Sequence, residues 1–131
     1  MKASIWFRAL AVVLAFFTFG HTVGTLHAIT NDPQEAAVLN TMKGFRVPVM
    51  GFHRTYWEFY RGFSVSITFL LATLMVIAWQ LATLSRRDPR SAFPIAVTVL
   101  LACVAQAIVA VVYFFTAPII TSVLAVICAA A

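Results

Sequence analysis

No aspartate or glutamate falls inside any of the long apolar runs of this 131-residue chain. A membrane span needs ~20 mostly apolar residues, and three of the runs reach that length. Hydrophobic residues make up 63% and charged residues 10% of the chain, against roughly half and a quarter in a soluble domain. So little polar surface cannot cover a globule in water, and a disordered chain carries far fewer apolar residues. Composition excludes both and leaves an integral membrane protein, a single transmembrane domain over residues 1–131.

The first run, 6–28, begins beside Lys2 and Arg8. A secretory signal has the same parts, but Leu26 and His27 make a poor cleavage site ahead of Ala28, and the run is long for a signal. A retained anchor is expected. The second run, 59–84, stops at Ser85-Arg86-Arg87-Asp88-Pro89-Arg90, and the third covers 94–115. Thr116-Ala117-Pro118 reads as a tight turn, since proline opens helices well and continues them badly. The last run, 118–131, reaches only ~20 Å as a helix, which is short for a full span. The expected fold is all-α: an integral membrane four-helix bundle with a long loop between helices 1 and 2.

That loop, 29–58, is expected outside the cytoplasm and to carry a short amphipathic helix. Asp32-Pro33-Gln34-Glu35 supplies a cap residue, proline at the first helical position and Glu three residues after the cap. Gly44 suits a stop, and Val38, Leu39 and Met42 share one face. Phe52, Tyr56, Trp57, Tyr60 and Phe63 follow, with Arg54 and Arg61 among them, a mixture selected at the membrane–water boundary.

The net charge is +5, from nine Lys and Arg against four Asp and Glu. The basic residues are scattered or flank apolar runs without an aromatic-and-basic platform, so nucleic acid is not an expected partner. Arg86, Arg87 and Arg90 are concentrated in one short connection, and Lys2 and Arg8 lie at the start. Lys43, Arg46, Arg54 and Arg61 are spread along the longer loop and offset by Asp32, Glu35 and Glu58. Orientation by positive charge puts both termini in the cytoplasm of a multi-pass inner-membrane protein.

The segment Met50-Gly-Phe-His-Arg-Thr-Tyr-Trp-Glu-Phe-Tyr-Arg-Gly-Phe63 leads into a run ending Trp79-Gln80-Leu81-Ala82. With Gly20-His21 late in the first run, it resembles a family of small bacterial four-helix inner-membrane proteins to which no function is assigned. The resemblance implies the four-span architecture and carries over no catalytic residues.

The residue types that carry chemistry are few. Cys103 and Cys128 belong to no CxxC or Cys/His set, so structural zinc and thiol–disulfide catalysis lack their motifs. No GxSxG or HExxH occurs, and no carboxylate in a span could couple protons to transport. Neither a metal nor a cofactor is expected. Bis-histidine haem needs two imidazoles at one depth, and His27 follows His21 by six residues, ~9 Å along a helix.

What remains is polar stripes. Thr18, His21, Thr22 and Thr25 share a face of the first helix, beside a Gly20/Gly24 small-residue pair that permits close helix approach. Ser66, Thr73 and Gln80 recur every seven residues on the second, and Thr98, Ala102 and Gln106 every four on the third. Polar groups facing lipid would go unsatisfied, so the stripes are expected to turn inward. They serve as packing glue or line a pocket. Glu58 forms either a helical ion pair with Arg54 and Arg61 or an acid–base pair with His21 or His27. The candidate ligand-binding residues are Thr18, His21, Thr22, Thr25, Glu58, Ser66, Thr73 and Gln106. The expected role is a non-catalytic bundle that contacts the bilayer and binds a small apolar ligand or a membrane partner subunit. The alternative is a small membrane enzyme, or a haem- or quinone-associated protein, using His21 and Glu58.

Overall fold

The computed structural model describes residues 2–26 and 30–131. Their order is α1 (Lys2–Leu26), α2 (Pro33–Gly44), β1 (Arg46–Val49), β2 (Phe52–Thr55), α3 (Tyr56–Arg87), α4 (Pro89–Tyr113) and α5 (Thr116–Ala130). Three helices, over Ala3–Leu26, Tyr56–Arg87 and Pro89–Tyr113, are long and apolar enough to cross a membrane, and α5 is a shorter apolar helix. Ala28 and His27, at the end of the first expected span, lie outside the described residues. By their contacts the residues group into two compact units, Met1–Phe19 with Leu70–Ala131, and Gly20–Phe69.

The first unit holds the apolar core. On α1, Phe7, Leu10, Ala11, Leu14 and Phe17 are buried, and Ser4, Phe7, Ala11 and Leu14 alternate steps of three and four along one seam. On α3 the buried Leu71 and Ala78 lie seven residues apart, with Leu81 and Ala82 three and four beyond Ala78, again on one face. Arg8 lies over the Trp79 ring, its Cζ 5.9 Å from the centroid, a cation–π contact at the cationic start of α1. Among the described residues, α4 packs extensively against α5. Their buried residues are Ala92, Val99, Cys103 and Ala110 on α4, and Ser122, Ala125, Cys128 and Ala129 on α5. Nearly all are small, which lets two helix backbones approach closely. Cys103 and Cys128 are free thiols.

Two boundaries differ from the expectation, and both turn on proline. Only Asp88 separates α3 from α4: its Oδ1 accepts from the amides of Arg90 and Ser91, both at 3.2 Å, and Ser91 Oγ donates to its Oδ2 at 2.5 Å. Pro89 occupies the first turn, so α4 starts five residues before Pro94. The second break falls at Phe114 and Phe115, and Thr116-Ala117-Pro118 forms the first turn of α5. Proline fits a first turn because those amides have no helical acceptor.

In the second unit, α2 starts where expected, with Asp32 Oδ1 accepting from the Gln34 amide at 2.8 Å. Its end at Gly44 needs no left-handed glycine, since Phe45 caps it with extended backbone. Val38 is 60% exposed and no residue of α2 is buried. A hairpin follows that the apolar periodicity did not predict: β1 and β2 pair antiparallel, Arg46 opposite Thr55 and Val49 opposite Phe52. Met50 and Gly51 form its two-residue loop with φ of 49° and 87°, the positive-φ pair of a type I′ turn. Pro48 is tolerated because a two-stranded sheet consists only of edges.

Candidate functional site

The start of α3 is fixed by a reciprocal capping box. The Thr55 amide donates to Glu58 Oε2 at 2.7 Å, and the Glu58 amide donates to Thr55 Oγ1 at 3.1 Å. Thr-x-x-Glu is the sequence signature of this device, and Thr55-Tyr-Trp-Glu58 carries it, though apolar patterning alone does not select it. Arg54 Nη1 approaches Glu58 Oε1 at 3.4 Å. Of the two arginines expected to flank Glu58, only Arg54 pairs with it among the described residues.

Around this cap the second unit collects aromatic rings. Phe45 stacks on Tyr56 at 5.8 Å and Trp57 on Tyr60 at 5.5 Å. Lys43 Nζ lies 5.1 Å from the Trp57 centroid. An open cleft of about 680 Å³ lies at the first turns of α3, lined by Arg54, Trp57, Glu58, Phe63 and Ser66. Phe59, Arg61 and Gly62 complete its lining.

His21 makes a contact of its own. Its Nε2–H donates to the Ser64 carbonyl at 3.0 Å, linking α1 to α3. Thr68 Oγ1 donates to the same carbonyl at 3.2 Å, and Thr22 Oγ1 lies 3.4 Å from Thr68 Oγ1. The half-buried His21, Thr22 and Thr68 thus meet the buried Ser64 in one polar junction. Thr25 Oγ1 donates to the carbonyl of His21 at 2.8 Å. Ser64 and Thr68 were not singled out in the sequence, because the every-seven spacing on α3 fits two opposite stripes. Ser66, Thr73 and Gln80 are exposed, whereas Ser64, Leu71 and Ala78 are buried.

The physical reason is local. Ser66 Oγ donates to the Gly62 carbonyl at 2.9 Å, Thr18 Oγ1 to Leu14 at 2.7 Å and Thr98 Oγ1 to Pro94 at 3.1 Å. A hydroxyl satisfied by the carbonyl four residues back has no need to face inward. On α4, likewise, Thr98 and Ala102 are exposed, whereas the half-buried Gln106 follows Val99 by seven residues and Cys103 by three and so shares their buried face.

Of the eight candidate residues, His21 and Thr22 meet at the junction, Thr25 extends it along α1, and Glu58 and Ser66 line the cleft. Thr18, Thr73 and Gln106 belong to the other unit. No hydrogen bond or ion pair joins His21 to Glu58 among the described residues, and His27 lies outside them. Among the described residues nothing lies within 4 Å of where a Cβ would stand at Gly20 or Gly24. No group of three or more His, Cys, Asp or Glu is placed to hold a metal among the described residues. Comparison with protein-family models, with curated proteins and with solved structures finds no match for this chain.

Proposed function

We propose that this chain is a multi-pass protein of a bacterial inner membrane, its helices forming a four-helix bundle in contact with lipid. Both termini and the turn carrying Arg86, Arg87 and Arg90 lie in the cytoplasm, in keeping with the positive-inside rule. The segment 29–58 is extracytoplasmic, and α2 lies along the membrane surface. The role is non-catalytic: binding a small apolar ligand or a partner subunit at the end where α3 begins.

One observation carries this reading. Among the described residues of Gly20–Phe69, those that are buried are Thr55 and Ser64, and no large apolar side chain is. Phe45, Phe52, Tyr56, Tyr60 and Phe63 stand exposed in this unit, and Phe63 lines the cleft. Aromatic rings exposed beside arginines at the start of an apolar helix suit contact with lipid head groups, a ligand or a partner at the membrane boundary. An enzyme built on His21 and Glu58 finds less support, because the two groups are engaged elsewhere, His21 with Ser64 and Glu58 with Thr55 and Arg54. Native mass spectrometry of gently solubilised full-length protein tests the reading. A co-purifying small molecule or subunit is the expected result, and a bare chain in every mild detergent would overturn it.

A further inference from the structure

The cleft at the start of α3 joins cationic and aromatic walls. Arg54 and Arg61 both line it, with Lys43 nearby over the Trp57 ring. Phe63 stands farther along the helix and is 69% exposed. Arg61, Phe63 and Ser66 all line the cleft, so a cationic group and an exposed ring face the same space. The sole carboxylate of the cleft, Glu58, is occupied by the Thr55 amide and by Arg54. Arg61 has no carboxylate partner among the described residues. An exposed guanidinium beside apolar walls offers a planar fork of donors that matches a phosphate oxygen pair.

We infer that this cleft binds the phosphate head group of an anionic phospholipid, Arg61 and Arg54 gripping the phosphate while the acyl chain lies along Phe63. The inference rests on the ligand-binding reading above and names the class of ligand. Its arginines select for charge and its exposed ring for an attached chain, so a lipid satisfies both where a free anion satisfies only one.

The test uses full-length protein in nanodiscs of phosphatidylcholine containing phosphatidylglycerol, with retained lipid read by native mass spectrometry after extraction. Preferential retention of phosphatidylglycerol is expected. Arg61→Gln should cut that preference about tenfold, the scale of a charge-assisted hydrogen bond. Arg61→Lys should keep part of it, since the charge remains but the fork is lost. Phe63→Ala should weaken retention of both lipids. Millimolar inorganic phosphate should not displace the lipid, and displacement would overturn the lipid as the source of the anion. Equal retention of both lipids, unchanged by Arg61→Gln, would overturn the anionic head group while leaving a ligand cleft. No retained molecule of any kind would overturn the ligand-binding reading itself.

Discussion

His21 acts on this protein through one nitrogen. Its Nε2–H donates across to α3, to a main-chain carbonyl that no substitution at Ser64 removes. His21→Leu should therefore destabilise by about 1 kcal/mol, the net value of a hydrogen bond, while His21→Gln, which keeps a donor of similar reach, loses less. Thermal unfolding in one detergent compares them, and equal midpoints for both variants would show that the bond contributes nothing. Gly20 and Gly24 invite the opposite experiment. Open space surrounds each, and alanine is preferred to glycine in a helix by roughly 0.5–1 kcal/mol. Gly20→Ala and Gly24→Ala should raise stability slightly. A loss of stability or of a crosslinked species would instead mark that face as the seat of a partner helix.

Individual elements depend on their ends. The hairpin loop holds Met50 in left-handed backbone at φ 49°, with the side chain 97% exposed. A non-glycine residue there costs roughly 1–2 kcal/mol, and asparagine suffers least. Met50→Asn should stabilise the hairpin by up to about 1 kcal/mol, and Gly51→Val should weaken it, both measurable by amide hydrogen exchange on β1 and β2. The Asp88 cap predicts a pH dependence. Its carboxyl is held below the usual carboxylate value by the Ser91 hydroxyl and amide, and then by the Arg90 amide. A carboxyl depressed in the folded state contributes stability above its unfolded pKa, ~3.9, and loses that contribution as pH falls through the lower folded value. Asp88→Ala should lower the thermal midpoint at neutral pH, and its gap from wild type should narrow below about pH 4. A gap constant down to pH 2 would show that the cap acts without its charge.

At the scale of the whole molecule, topology is the first question. With both termini cytoplasmic, a reporter fused after Ala131 should be active only in a cytoplasmic form. A cysteine introduced at Asn31 should label from outside, whereas labelling at Ser91 would invert the arrangement. The α4–α5 seam offers a packing test within one unit: Ala125 is 3% exposed, so Ala125→Leu overfills it and should cost roughly 1–3 kcal/mol.

The long apolar helices, the Asp32 cap and the helical face of Thr18, His21, Thr22 and Thr25 could all be read from the chain alone. Each depends on local matters: hydropathy over twenty residues, a capping side chain next to proline, or a spacing of three and four. Which stripe of α3 is buried could not be read in this way. Ser66–Thr73–Gln80 and Ser64–Leu71–Ala78 share one period, and a hydroxyl bonded to its own helix gives no sign of which way it faces. Only packing against other helices separates them. The hairpin at Met50-Gly51 and the capping box at Thr55 and Glu58 were written in short motifs, but the aromatic run around them carries no apolar period to announce either element. The cleft draws its whole lining from Arg54 to Ser66, so its residues are local in the chain. Arg54 and Arg61 nevertheless look alike as charges in a sequence, and only the folded start of α3 decides that Glu58 pairs with Thr55 and Arg54 and not with Arg61.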